Sequence, residues 1–379
     1  MDLELDETQR LVRDAARKFA EERIAPVAAE LDRESRFPRE LLRELAELGL
    51  YGVNIPEELG GAGAGVVAYA LAMMEIAQKC ASTAVTMAVS NMVAEVITAF
   101  GTEAQKRRHV PRITSGEYAA AAFALSEPES GSDAGSLRTT ARRHGDRWVL
   151  DGQKQWITSG AHAGVTVVWA RTGGPGTAGI SAFLVEAGTP GLEVGRPEDK
   201  LGLCASNTVP LRFESCELPE DALLGEVGGG FSIAMMALDG GRIGISAQAT
   251  GIGEAALAAA TAYAGTRRQF GKPIGAFQAI QWMLADSRTE LDAARLLCLR
   301  AATLKEAARP FSREASMAKL YASEAANRIT ARALQIHGGY GYVRDFPVER
   351  HLRDARVTTI YEGTSEVQRM VIARKVLEG

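Results

Sequence analysis

The sequence is short of cysteine, of net charge and of long uncharged apolar runs, and each shortage removes a class of protein. Its four cysteines, Cys80, Cys204, Cys216 and Cys298, are scattered over 379 residues with no C-x-x-C pair. That counts against a disulfide framework or a cysteine-ligated zinc, and favours single buried thiols in a reducing compartment. Lysine and arginine number 43 against 47 aspartates and glutamates, a formal charge of −4. There is no basic excess of the kind that draws nucleic acid. No stretch of about 18 apolar residues is free of charge, so no membrane span is expected. The acidic, helical opening MDLELDETQR has neither the apolar core of a secretion signal nor an arginine-rich transit pattern. This points to the cytoplasm, although a processed organellar chain would read the same. The five histidines are dispersed, and neither a Walker loop nor an H-E-x-x-H motif occurs, so a metal centre has no support.

What is present is a globular balance, 46% hydrophobic and 24% charged, in a chain long enough for two or three domains at roughly 150 residues each. The patterning predicts a helical, β, helical order. Leu11, Val12, Ala15, Ala16 and Phe19 share one face of a predicted helix over 6–31. Pro38 and Gly49 bracket a second helix. Two apolar helices are expected over 66–79 and 82–100, and another towards Ile113. From Phe123 to about Glu226 the period shortens to β-type runs at 147–150, 154–158, 165–170, 180–185 and 209–213. Asp151-Gly152 reads as a hairpin turn. Strands without intervening helices imply an antiparallel barrel or sandwich. After Gly228-Gly229-Gly230, helices are predicted over 231–265, 278–308, 312–336 and 366–377. The expectation is an α+β chain: an N-terminal all-helical domain over 1–121, a middle antiparallel β-barrel domain over 122–229 and a C-terminal four-helix bundle over 230–379.

Gly251-Ile252-Gly253-Glu254-Ala255-Ala256 matches G-x-G-x-x-A but lies inside a helical run. Without a preceding strand it is not a dinucleotide fingerprint. Gly240, Gly241, Gly244, Gly251 and Gly253 each cost up to ~1 kcal/mol relative to alanine in a helix. Close helix packing, or the approach of a ligand or second subunit, would account for them. The loop at 123–135 offers small hydroxyl residues and exposed amides suited to phosphate or ring edges. Trp156 and Thr158, two apart on a strand, face one side, where one can stack on a flat ring and the other hydrogen-bond it. In the stretch 360–368, Ser365 and Gln368 are expected to form a capping box. Glu362 precedes that cap beside the apolar Ile360-Tyr361 pair, where a carboxylate would have a raised pKa and could act as a base.

Five motifs in order carry a resemblance. FALSEP-x-SGSDAG at 123–135, WIT at 156–158, RRQFGKPI at 267–274, QIHGG at 335–339 and IYEGTSEVQR at 360–369 resemble the acyl-CoA dehydrogenase family, most of all its short-chain, butyryl-CoA dehydrogenase-like bacterial members. The resemblance covers essentially the whole chain. It implies noncovalent FAD between the β domain and the C-terminal bundle. Phe123, Leu125, Ser126, Gly131 and Ser132 would line the flavin and the thioester, and Trp156, Ile157 and Thr158 would flank the flavin ring. Arg267, Phe270 and Gln278 would reach the pyrophosphate and adenine end, and Gln335, Ile336, Gly338 and Gly339 the adenosine, both on a neighbouring subunit's FAD. Thr364, Ser365 and Glu366 would hold the cofactor from a helix start. A homo-oligomer follows, a tetramer built as a dimer of dimers.

Glu362 would be the catalytic base, removing the α-proton of a short- or medium-chain acyl-CoA while the β-hydrogen leaves as hydride to the flavin, giving trans-2-enoyl-CoA. Its backbone N–H and a flavin ribityl hydroxyl would stabilise the thioester oxygen. Ser132, Asp239, Arg242, Tyr361 and Gly363 would contact substrate. The acyl chain would lie between 85–100 and 231–245. Electrons would pass to an electron-transferring flavoprotein. Some branches of the family carry the base in an L-D-x-E-R pattern; here the corresponding position holds Gly241. Glu129 departs from the family's usual glycine, and His337 from an apolar residue. The rival readings are an acyl-carrier-protein-dependent or branched-chain acyl dehydrogenase, and a non-catalytic acyl-CoA-binding scaffold.

Overall fold

Asp6 starts the chain's first helix: its carboxylate accepts from the Gln9 amide at 2.8 Å, and its own amide donates to the Gln9 side chain. The computed structural model describes residues 4–378. The single helix expected over 6–31 is broken. Helix α1 (Glu7–Phe19) loosens into a π-helical turn at Ala20–Ile24, and α2 (Ala28–Glu34) follows. Pro26, which has no amide to donate and crowds the preceding turn, sits at the break. Helix α3 (Arg39–Glu47) runs from Pro38 towards Gly49, whose φ of +73° ends the run. Helices α4 (Gly65–Lys79) and α5 (Ala81–Phe100) are buried along nearly their whole length, and a Thr102–Gln105 capping box opens α6 (Glu103–Thr114). Helix α5 is long and apolar enough to cross a membrane by length and composition, but it carries Glu95, and 78% of that stretch is buried inside the protein, as in a core helix.

The β part comprises β1 (Ala120–Ala124), β2 (Thr140–His144), β3 (Arg147–Thr158), β4 (Ala163–Arg171), β5 (Ile180–Glu186), β6 (Leu192–Val194), β7 (Thr208–Pro219) and β8 (Leu223–Leu224). The path β6-β7-β3-β2-β4-β5-β8 is open, with β1 added beside β4, so the expected barrel does not close. Nor is the sheet wholly antiparallel: β1 pairs with β4 in parallel, and β2 meets β4 through one parallel bridge. Asp151-Gly152 is not a hairpin turn. Strand β3 runs through it, and Gly152, at φ +147°, marks a bulge opposite β7. The turn falls instead at Gly145-Asp146, between β2 and β3.

The C-terminal part is built on α7 (Gly230–Thr266), 37 residues long. After the small ribbon β9 (Arg268–Gln269) and β10 (Lys272–Pro273) come α8 (Gln278–Glu306), α9 (Ser312–His337), α10 (Val348–Arg356) and α11 (Ser365–Leu377). Helix α10 is an addition to the four expected. Its buried face is Val348, His351, Asp354 and Ala355, two of them polar, so no apolar period announces it. Its Arg353 and Asp354 tie the three parts together. Arg353 pairs with Asp32 and Glu349 at 2.7 Å each, and Asp354 accepts from the Leu203 amide at 2.6 Å.

The glycines of α7 divide by position. A Cβ at Gly251 would stand 2.4 Å from the Met74 carbonyl oxygen, and one at Gly253 3.2 Å from Leu291. These two serve helix packing. At Gly244 it would meet the Tyr69 hydroxyl, at Gly240 the Glu95–Lys305 ion pair, and at Gly241 the carboxyl of Glu362. That end of the helix faces polar groups.

Candidate active site

Glu362 lies in the connection between α10 and α11, where the chain turns left-handed twice, with φ +56° at Glu362 and +86° at Gly363. A side chain at positive φ is strained and persists only where its surroundings hold it. Here Gln368 Nε2 donates to both the Glu362 and Gly363 carbonyl oxygens at 3.0 Å, and Lys319 Nζ donates to the Gly363 oxygen at 2.7 Å. The Glu362 carboxyl reaches over Gly241, and its Oε2 is closed from solvent with no hydrogen-bond partner among the described residues. Burial pushes its pKa up to about 7, against the positive charges of Arg242 and Lys319. Its backbone N–H makes no backbone hydrogen bond among the described residues. The neighbouring Tyr361 hydroxyl donates to Gln248.

Ser365 is not the helix cap. Thr364 is, accepting from the Val367 amide at 3.3 Å, while the Ser365 hydroxyl is buried and unpartnered. Gln368 is turned back to the Glu362 turn rather than to a cap. Glu366 is exposed at the helix start.

Arg242, buried on α7, pairs with Asp239 and donates to Ser316 at 3.2 Å, and Ser312 donates to Asp239 at 3.0 Å. The structure thus brings Glu362, Arg242, Asp239, Tyr361, Gly363 and the start of α11 together.

The β part supplies a second group. Phe123 on β1 packs against Trp169, ring centroids 4.2 Å apart. Trp156 is 62% exposed at φ +64°, beside a register shift in β3, while Ile157 points into the core and Thr158 is half-buried. The loop after β1 is anchored from inside. Lys154, fully buried, donates to the Leu125 carbonyl at 3.1 Å and the Glu127 carboxylate at 2.8 Å. Glu127 also accepts from the Arg138 and Thr139 amides at 2.6 and 2.9 Å, and the Ser126 carbonyl accepts from Gln155 N. Gly131 and Ser132 are exposed at the loop tip, and Glu129 spans the loop to Arg138.

A third group lies elsewhere. Arg267 follows the end of α7, roughly 39 Å beyond Gly241 at 1.5 Å per residue. Arg267, Ile336, Gly338 and Gly339 line a cleft of about 690 Å³ with Tyr263 and Tyr340. Phe270 is 92% exposed, and Gln278 and Gln335 are also on the surface. His337 stacks on Tyr263 at 4.3 Å and is buried, a packing role.

Sequence reasoning missed Lys319, Lys154 and Glu127. Lys319 had a signal: it shares the buried face of α9 with Ala315, Ala318 and Ala322, a lone cation at core spacing. Glu127 and Lys154 lie 27 residues apart and carry no local pattern.

Models of the acyl-CoA dehydrogenase N-terminal, middle and C-terminal domains match residues 6–117, 122–216 and 228–377. The chain is 53% identical to the mitochondrial short-chain specific acyl-CoA dehydrogenase of Bos taurus, over 99% of this chain and 92% of that one. It superposes on butyryl-CoA dehydrogenase from Megasphaera elsdenii with a TM-score of 0.97 at 44% identity, each chain fully covered. It superposes equally fully, at a TM-score of 0.99 and 45% identity, on a chain in the structure described as the electron transferring flavoprotein of Acidaminococcus fermentans. Three domain matches in order, on a fold shared from end to end, make this chain a member of the acyl-CoA dehydrogenase family, oxidoreductases whose cofactor is FAD.

Proposed function

We propose that the protein oxidises a short-chain acyl-CoA to its trans-2-enoyl thioester, with Glu362 as the base. The observation that carries this is the Glu362 carboxyl over Gly241, with one oxygen closed from solvent and unpartnered among the described residues and a pKa near 7. A base works best with a pKa close to the operating pH. Names of relatives support the short chain: one is short-chain specific and another acts on butyryl-CoA.

The residues present fit FAD. Among the described residues the Ser159 and Ser365 hydroxyls are buried without partners, and Trp156 offers an exposed aromatic face close to Ser159 in sequence. Phe123, Leu125, Ser126, Gly131, Ser132, Trp156, Ile157 and Thr158 would hold the flavin end. Thr364, Ser365 and Glu366 would hold it from the start of α11, where free amides favour phosphate. Bound FAD supplies the acceptor for the β-hydrogen and its electron pair. The chain's own part is the α-proton: Glu362 takes it as the α C–H bond breaks and the α,β double bond forms. The Glu362 backbone N–H, free of a backbone partner, serves the thioester oxygen as negative charge develops there. Exclusion of water keeps that hydrogen bond strong. Asp239, Arg242, Tyr361 and Gly363 line the substrate side, with Ser132 at the loop tip.

Arg267, Phe270, Gln278, Gln335, Ile336, Gly338 and Gly339 serve the FAD of a neighbouring subunit in a tetramer. The length of α7 that separates Arg267 from Gly241, and the exposure of Phe270 and Tyr342, support this. An electron-transferring flavoprotein takes the electrons; the superposition on a chain from such a structure supports it. The domains divide near 121 and 229, and the cytoplasm is the proposed location.

Glu362→Gln tests the reading. The variant is expected to keep FAD and bind butyryl-CoA while flavin bleaching on anaerobic mixing disappears. Bleaching at the normal rate would overturn the assignment.

A further inference from the structure

Lys319 sits mid-way along α9 with none of its surface exposed. A buried ammonium must be hydrogen-bonded or paired to be tolerated. Among the described residues no carboxylate lies within ion-pair distance of it, and its one hydrogen bond is to the Gly363 carbonyl oxygen at 2.7 Å. That carbonyl belongs to the second residue of the left-handed turn that begins at Glu362. Gln368, also fully buried, grips the same carbonyl and that of Glu362. The turn is therefore held by one neutral donor and one charged donor, from two different helices.

The groups facing the Glu362 carboxyl come from every element around it. Arg242 on α7 is partly neutralised by its pair with Asp239. Tyr69 on α4 is a buried phenol and Tyr361 beside Glu362 a part-buried one, both held neutral by desolvation. Glu324 on α9 and Glu366 on α11 act on Lys319 from a distance, and Glu95 on α5 acts on Tyr69. Burial depresses the Lys319 pKa to about 8, so it carries its charge at neutral pH.

We propose that Lys319 is a positioning residue for Glu362: through the Gly363 carbonyl it holds the turn that aims the carboxyl at Gly241, and its unpaired charge favours the ionised carboxylate. The inference rests on reading Glu362 as the base. Arg242 and Lys319 are the two cations that favour ionised Glu362, and of these only Lys319 also holds the adjoining Gly363 carbonyl.

The test uses the flavin-loaded enzyme. Ionisation of Glu362 is followed by infrared difference titration of its carboxyl band, with Glu362→Gln as the blank. The pH dependence of flavin reduction by butyryl-CoA is followed in parallel. Lys319→Met is expected to raise the Glu362 midpoint by about one pH unit or more and to move the acid limb of the rate profile with it. Lys319→Gln, which keeps a neutral donor to Gly363, should raise the midpoint equally with a smaller loss of maximal rate. Gln368→Leu should slow reduction at every pH without moving the midpoint. An unmoved midpoint in either folded Lys319 variant overturns the proposal. Flavin reduction persisting in Glu362→Gln would overturn the base assignment instead, so the two failures are distinct.

Discussion

The Glu362 carboxyl occupies the space that a side chain at Gly241 would fill. A methyl group built on Gly241 would stand 2.4 Å from Oε2 and 3.1 Å from Oε1. Two positions far apart in sequence thus converge on one point, and only one of them can carry a side chain there. Gly241→Ala should push the carboxyl aside without disturbing the helix. The rate of flavin reduction by butyryl-CoA should fall by about 10-fold to 100-fold, with the thermal midpoint unchanged or raised, since alanine favours helix. An unaltered reduction rate in stopped-flow would show that the carboxyl does not work from this position.

The pH dependence has a definite sign. Glu362 must be ionised to accept a proton, and its pKa is about 7. The value of kcat/KM for a saturated thioester should therefore rise about tenfold per pH unit below that point and level off above it. Stability should move oppositely. A carboxyl whose pKa is raised by folding contributes stability at low pH that is lost as pH rises through about 7. Glu362→Gln should thus raise the melting temperature more at pH 8 than at pH 5, and an equal effect at both would contradict a carboxyl whose pKa is raised by folding.

The buried Lys154–Glu127 pair holds the loop after β1 to the strand that carries Trp156. Lys154→Met would leave the Glu127 carboxylate buried with only amide donors, at a cost of about 3–5 kcal/mol. Lowered melting temperature and loss of flavin on gel filtration are expected together. A variant that melts early yet keeps its flavin would separate the pair from the cofactor loop.

Much of the helical plan was legible because period and punctuation coincide. Gly228 and Gly229 precede α7, and Gly338 follows α9. Glu362 stood out because an acid beside Ile360 and Tyr361 serves no cap. The misreadings share a physical cause. Asp151-Gly152 carries hairpin chemistry, but continuous pairing of β3 with β7 on both sides turns its backbone freedom into a bulge. Ser365 and Thr364 are equally good caps by composition, and the left-handed Glu362-Gly363 turn decides between them. Helix α10 hides because two of its four inward side chains, His351 and Asp354, are polar, and Asp354 bonds back to the Leu203 amide.

The unbroken length of α7 makes the molecule intolerant of register error. Gly241 near one end and Arg267 just past the other are joined by a single run of helix. One residue gained or lost between them would turn the far cleft by about 100° relative to the near site. Loops elsewhere can lengthen, but this rod behaves as a ruler whose graduations are fixed, and insertions in it should be the least forgiving in the chain.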